Sequence, residues 1–252
     1  IVAASMSSYG EGRYKCPECG LFSPGLRGEK QLNEQKFEMY CKCGKQAEPV
    51  PTDEEKSRDC ASIYAITKKD QEDMCLNIAW AYKIPMVALR YFNVYGPRQS
   101  VSNPYTGVTA IFASRLLNNN NPIIYEDKLQ TRDFINVKDI TKTNIITMES
   151  DKANYQYFNV GSGKPVSIKN IALKLAEVLG KKIEPVLVNK YRIGDIRHCF
   201  ADASKIKKAL GFETSINFED GMRELCEWLK TQNSTDKVES AQQELKDKGL
   251  IV

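Results

Sequence analysis

The sequence predicts an α/β chain built on a parallel sheet, with an irregular insertion near its start and a smaller second lobe. Three observations predict it. From residue 59 onward, short apolar runs alternate with stretches of helical periodicity, as they do in β–α units. The early runs IVAA (1–4) and MVALRY (86–91) are nearly continuous in apolar residues, as expected of buried parallel strands. After residue 100 the strands become shorter and more polar, which sets off the second lobe. The 252 residues, 42% of them apolar, suffice for one large or two ordinary domains with a real core.

In order, residues 1–4 read as a buried strand and SMSSYG (5–10) as the loop leaving it. Residues 13–50 hold four of the eight cysteines, four of the fifteen glycines, many charges and little periodicity, so they read as an insertion. Residues 59–83 are helical and end before Pro85. A strand over 86–91 runs into FNVYGP (92–97). Residues 107–118 form a helix, 118–121 a polar turn, 123–125 a strand. Residues 132–137 are a strand followed by a helix to 149, and 155–161 a strand ending in glycine. Ser167 caps an amphipathic helix with Ile168, Ile171, Leu175 and Leu179 on one stripe and Gly180 just past its end. Residues 183–188 read as a strand, Asp202 as the cap of a helix to Leu210, 217–231 as another helix and 232–248 as a charged helical tail. The division expected is 1–100 for the sheet domain, interrupted by 13–50, then 101–230 mainly for the second lobe and 231–252 for the tail. No repeat occurs at a fixed period.

The totals exclude several classes. The net charge of +4 is spread along the chain, whereas a nucleic-acid footprint is a concentrated basic stripe, so no nucleic-acid partner is expected. No apolar run approaches the length needed to span a membrane, and no membrane partner is expected. With His198 as the single histidine, histidine catalysis and histidine-rich metal sites are set aside. Eight cysteines without an export signal point to a reducing compartment, and a cytoplasmic location is expected.

The candidate chemistry starts at YAITK (64–68). Tyr64 and Lys68 are one helical turn apart and share a face. A phenol titrates near 10, and an ammonium held close lowers that value, which makes such a pair a possible acid/base. On spacing alone the pair reads as a surface tyrosine over a lysine stem. Ser5 changes the balance, because ligands of open α/β sheets sit beyond the carboxyl ends of the strands. A serine there, ahead of a Tyr-x-x-x-Lys helix, suits hydride transfer at a carbinol carbon.

The insertion carries KCPECG (15–20) and, after a spacer of 21 residues (20–40), YCKCG (40–44). Cys16, Cys19, Cys41 and Cys43 together offer four thiolates for a tetrahedral, closed and therefore structural zinc site. The second pair is one residue shorter than the usual Cys-x-x-Cys, and the alternative is a loop of reduced cysteines. Cys60, Cys75, Cys199 and Cys226 are dispersed and read as core or incidental.

SMSSYG (5–10), YAITK (64–68), LRYFNVYGP (89–97), QTRDFINVKD (130–139), FNVGSG (158–163) and RIGD (192–195) with ADASK (201–205) stand in the order seen in extended short-chain dehydrogenases/reductases. More narrowly, the chain resembles their nucleotide-sugar epimerases and dehydratases over residues 1–12 and 59–230. The resemblance implies a partial Rossmann-like sheet and NAD as cofactor. Tyr64 becomes the acid/base at the reacting sugar hydroxyl, and Lys68 binds the nicotinamide ribose and tunes the tyrosine. Ser5 hydrogen-bonds the same sugar oxygen, Ser7 lines the sugar pocket and Phe92 lies against the nicotinamide. Asn93, Arg132 and Arg192 hold the nucleotide diphosphate, a role that a guanidinium fork suits, and Asp195 helps hold nucleotide or sugar. Where the family has Tyr-Gly-Asp-Gly, this chain has Tyr125, Glu126, Asp127 and Lys128, so the base-binding loop is expected to differ. The cysteine insertion, NPYTGV (103–108) and LQTRDF (129–134) resemble the zinc-ribbon-containing dTDP-L-rhamnose 4-epimerase subgroup. A homodimer through helices that include the tyrosine helix is also implied.

The family's Gly-x-x-Gly-x-x-Gly turn, which brings backbone amides to the dinucleotide pyrophosphate, follows no strand here. The chain is therefore expected to be the later part of a longer polypeptide, inactive as it stands, with the first half of its nucleotide domain supplied upstream or by a partner chain. The function expected of the whole is NAD-dependent 4-epimerisation of a nucleotide sugar. The rival readings are a 4,6-dehydratase or decarboxylase on the same scaffold, and a non-catalytic zinc-ribbon scaffold. Met6, Ser7 and Ser8 offer no acidic residue after the loop serine, which favours the epimerase.

Overall fold

The computed structural model describes every residue except 101–106, 189, 233–235, 237, 250 and 252. Most of the NPYTGV stretch, residues 103–106, and part of the expected tail helix therefore lie outside the described residues.

Three parallel strands form the first sheet: β1 (Val2–Ser5), β5 (Val87–Tyr91) and β9 (Gln156–Val160), with β5 central. Of the buried first strand expected, one face is buried. Val2 and Ala4 pack with Ala88 against the long helix α2 (Ile63–Tyr82), while Ala3 faces a cavity. That helix starts later than its periodicity suggested, because the Ser62 hydroxyl accepts from the Ala65 amide and fixes the first turn there.

Between β1 and α2 lies the insertion: β2 (Arg13–Cys16), β3 (Gly20–Phe22), the short α1 (Glu29–Asn33) and β4 (Glu48–Val50). Its strands make one antiparallel sheet in the order β3-β2-β4. The insertion is rooted at Gly12, whose amide donates to the His198 carbonyl at 3.0 Å. A Cβ on Gly12 would lie 2.5 Å from that oxygen, so only glycine allows this approach.

After β5 the chain forms β6 (Asn93–Tyr95), α3 (Val108–Leu117), β7 (Ile123–Ile124), β8 (Thr131–Asn136) and α4 (Val137–Met148). Beyond β9 come β10 (Pro165–Ser167), α5 (Ile168–Val178), β11 (Val186–Leu187), β12 (His198–Cys199), α6 (Ser204–Leu210), α7 (Phe218–Leu229) and α8 (Val238–Asp247). In the second sheet, β8 pairs with β6 and β12 in parallel and with β10 antiparallel. The strand expected over 183–188 shrinks to Val186 and Leu187 beside β7, since Pro185 has no amide to give the ladder. The expected cap Asp202 lies one residue ahead of the actual cap of α6, Ala203, and its carboxylate receives the Ser204 amide at 2.8 Å.

Two cores hold the layers together. Phe112, Leu116, Phe134, Ile171, Leu175 and Met222 join α3, α5 and α7 to β8. Leu89, Ile135, Phe158, Ile206 and Phe212 join the first sheet to α6 and, through Ile140, to α4. Adjacent β8 residues, Phe134 and Ile135, thus enter different cores, so β8 ties the second lobe to the first. No helix among the described residues is long and apolar enough to cross a membrane.

Candidate active site and thiol cluster

Two cavities meet at Asn93. The first, of about 560 Å³, is bounded by the carboxyl ends of β1 and β5 and by α2, where open parallel sheets hold ligands. Ser5, Ser7, Tyr64, Lys68, Phe92 and Asn93 all line it. The second, of about 230 Å³, is lined by Asn93, Tyr125, Gln130, Arg132, Arg192 and Asp195. The nine non-cysteine candidates from the sequence thus fall on two adjoining surfaces, although they come from segments up to 190 residues apart, Ser5 to Asp195.

Ser5 ends β1 and caps the single helical turn Met6–Tyr9. Its Oγ accepts from the Ser7 amide at 3.2 Å and from the Ser7 hydroxyl at 2.8 Å. With both lone pairs engaged, the Ser5 hydroxyl has its own proton left to donate. Tyr64 is 57% exposed at the start of α2. Lys68, one turn on, donates to the Ala3 carbonyl at 2.9 Å and to Gln71 at 3.2 Å, which anchors the cation beside β1. Phe92 is buried against Met6 and Tyr9 and forms part of the floor.

Arg90 aligns the serine turn with the tyrosine helix, and motif reading missed it. It donates to both carboxylate oxygens of Glu72 on α2 at 2.6 and 3.0 Å, and to the Tyr9 phenol at 2.8 Å. Tyr9 in turn donates to Asn159 on β9 at 2.7 Å, and burial pushes its phenol far up, so it remains a donor. The signal in the sequence was an arginine inside an otherwise apolar strand, which demands partners.

In the second cavity, Asn93 Oδ1, Gln130 Oε1 and Arg192 Nε are buried without a hydrogen-bond partner. Leaving such a group unpaired costs about 1–3 kcal/mol, and three at one surface mark where a polar ligand would satisfy them. The Arg192 guanidinium stacks on the Tyr125 ring at 4.4 Å. Arg132 spends its Nη atoms on the carbonyls of Thr131, Ile196 and Arg197 and on the Asp195 carboxylate at 3.2 Å, so it organises the wall as well as lining it. Tyr125 joins the site from the expected base-binding loop, and Gln130 joins it from the QTRDFINVKD stretch, whose motif assigns it no role. Glu126 and Lys128 adopt φ of 55° and 72°, the left-handed backbone that glycine occupies more easily.

The insertion brings its four thiols together. The sulfurs of Cys16, Cys19, Cys41 and Cys43 all lie within 4.8 Å of one another, with Cys16 and Cys43 at 3.5 Å. A tetrahedral site with metal–sulfur bonds of about 2.3 Å needs sulfurs about 3.8 Å apart. This donor set therefore fits one closed four-thiolate metal site. The turn closed by the Gly44 amide on the Cys41 carbonyl at 2.8 Å brings Cys43 into reach despite the short spacing. Without a metal the four thiols shift one another in both directions: backbone hydrogen bonds from Cys19 and Glu18 lower Cys16, while bonds with Cys41 and Cys43 raise Cys19.

Comparison with known proteins bears on this arrangement. Residues 38–225 match the family model described as GDP-mannose 4,6 dehydratase. The chain is 33% identical over 235 residues to dTDP-L-rhamnose 4-epimerase of Burkholderia thailandensis, covering 91% of this chain and 62% of that protein. Among solved structures it resembles UDP-N-acetylglucosamine 4-epimerase from Methanobrevibacter ruminantium in complex with UDP-N-acetylmuramic acid, with a TM-score of 0.71 and 32% identity over 92% of this chain and 63% of that one. It also resembles the Thermus thermophilus UDP-glucose 4-epimerase complex with NAD, with a TM-score of 0.66 and 26% identity over 92% of this chain and 64% of that one. The chain thus spans less than two thirds of the length of these relatives.

Proposed function

The chain belongs to the nucleotide-sugar epimerases and dehydratases of the extended short-chain dehydrogenase/reductase family, and on that premise we propose that it is the catalytic and substrate-binding part of an NAD-dependent nucleotide-sugar 4-epimerase. One observation carries the reading: Ser5, Tyr64 and Lys68 line a cavity that adjoins, at Asn93, a second one holding arginines and unpaired buried polar atoms. A reacting sugar fits the first and its nucleotide diphosphate the second.

The donor set of the first cavity, a lysine cation and a tyrosine hydroxyl beside an aromatic floor, fits the nicotinamide-ribose end of NAD. Lys68, Tyr64 and Phe92 would hold that end, and bound NAD would supply the hydride acceptor and donor. Tyr64 takes the proton from the sugar C4 oxygen and later returns it. Ser5 donates to that same oxygen as it becomes a ketone oxygen, where the interaction strengthens. Arg192, Asn93 and Gln130 grip the nucleotide end while the sugar turns over, which would leave the opposite face of C4 open to the hydride that bound NAD would supply. Arg132 and Asp195 keep that wall in shape. Zinc at Cys16, Cys19, Cys41 and Cys43 would be structural, because four thiolates leave no open position. A dTDP-sugar such as dTDP-L-rhamnose is the candidate substrate, and a homodimer in the cytoplasm belongs to the same proposal.

The test is the full-length protein with NAD and a panel of dTDP- and UDP-sugars, read by product mass. An epimer is isobaric with its substrate, whereas dehydration or decarboxylation changes the mass. Tyr64→Phe should lower kcat at least about a hundredfold while nucleotide binding persists. Undiminished turnover by that variant would remove Tyr64 from the chemistry.

A further inference from the structure

Behind the nucleotide cavity, the chain carries buried charged contacts that neither the fold nor the proposed chemistry requires. Arg27 belongs to the insertion, between its two cysteine pairs. It donates from both Nη atoms to the Glu126 carboxylate, at 2.9 and 2.8 Å, and the two side chains are each 1% exposed. The same guanidinium donates to the backbone carbonyl of Asp195 at 3.0 Å and to that of Phe37 at 3.0 Å. Glu126 also receives Arg197 at 3.0 Å. The insertion therefore grasps both strands of chain that wall the nucleotide cavity: Tyr125 to Gln130 on one side and Arg192 to Asp195 on the other.

The grip adds to the bonds this backbone already makes, the Glu126 amide on the Lys190 carbonyl at 2.8 Å and the Gln130 side chain on the Tyr125 carbonyl at 2.9 Å. Glu126 sits at φ 55°, a left-handed conformation that glycine adopts more easily than any residue with a Cβ. With Glu126 fixed, Tyr125 lies under Arg192 at 4.4 Å, and the unpaired Gln130 Oε1 and Arg192 Nε stay in the cavity wall. The hold on the insertion's own side is weak. Its apolar core amounts to Tyr14, Met39 and Ala47 with Phe22, plus a satellite of Leu32 and Phe37 against Tyr191. So small a core needs a cross-link to stay folded, and the four-thiol cluster is the cross-link at hand.

We propose that the cysteine insertion is a positioning device for the nucleotide subsite: metal bound by the four thiolates holds Arg27 on Glu126, and that contact sets the affinity for a nucleoside diphosphate. This rests on the nucleotide reading of the second cavity given above and adds a metal-linked control to it. Arg27 touches no ligand; it acts through Glu126 and the Asp195 carbonyl.

The test uses the full-length protein purified with zinc, with UDP and dTDP as probes and calorimetric Kd as the readout. Arg27→Met should weaken binding about tenfold, as should removal of zinc from the unaltered protein by a chelator. The two losses should not add, because they interrupt one path. Arg27→Lys, which keeps the charge but not the two-pronged grip, should fall between. Linkage requires the reverse effect too. A saturating probe should raise zinc affinity, read with a chromogenic chelator, by the same factor in the unaltered protein and not in Arg27→Met. If Arg27→Met does not fold, the zinc arm on the unaltered protein decides. Arg192→Met separates the two readings. If it weakens binding while Arg27→Met and zinc removal do not, the positioning proposal is overturned and the nucleotide subsite stands. If Arg192→Met leaves both Kd values unchanged, the nucleotide reading fails and this proposal fails with it.

Discussion

Glu38, also in the insertion, shows how single side chains join it to the rest of the chain. Its carboxylate takes Arg197 Nε at 3.1 Å, Arg197 Nη2, and His198 Nε2 at 3.3 Å. Burial alone would raise this carboxyl, but His198 and Arg197 together hold it at about 2, against an ordinary value of 4.5. A carboxyl depressed in the folded state stabilises fully above its unfolded value and loses that contribution as pH falls toward the folded one. Glu38→Gln should therefore cost about 2 kcal/mol at pH 7, and the gap should close between pH 4.5 and 2. Urea unfolding of both proteins across that range checks it; a gap of constant size down to pH 3 would discard the assignment. None of these contacts was legible in the sequence. Glu38 pairs with residues 159 and 160 positions away, and no local pattern encodes such a partner. Ser5, Tyr64 and Lys68 were legible, because residue type, spacing along one helix and position at a strand end are all local features of the chain.

Among the elements, α5 shows what a local signal achieves. Ile171 and Leu175 on its apolar stripe enter the core between α3 and α7, and Ser167 accepts the Asn170 amide at 3.2 Å. Gly180 follows in the left-handed conformation at φ 66°. Ser167→Ala removes the cap and should destabilise by about 1 kcal/mol, lowering the urea midpoint without changing the slope. An unmoved midpoint would show the cap to be idle. Elements without a strong local signal departed from expectation. α2 starts at its serine cap and not where helical periodicity begins, and Pro185 cuts short the strand expected over 183–188. β9, though far along the chain, returns to pair with β5 because its Phe158 and Val160 need the core beneath the first sheet.

At the scale of the molecule, a small antiparallel insertion is plugged into the side of a parallel-sheet enzyme fold, rooted at Gly12 and held by buried ion pairs. Its own core is slight, so a metal bound by its thiols should supply a large part of its stability. Metal analysis should find about one zinc per chain, and chelation or the paired change Cys16→Ser with Cys19→Ser should lower Tm by about 5 °C or more. Metal-free protein with an unchanged Tm would return the cluster to a set of reduced cysteines.

By itself, the sequence determined the fold class, the order of the main strands and helices outside the insertion, and the candidate Ser–Tyr–Lys and four-cysteine sets, because periodicity, caps and motif spacing are local and survive in one dimension. The tertiary structure alone decided that these groups line two cavities sharing Asn93, that Arg90 locks the serine turn to the tyrosine helix, and that Arg27 reaches Glu126. Those are contacts between distant segments, fixed by how the layers pack, and a buried charge reveals its partner only once the chain has folded around it.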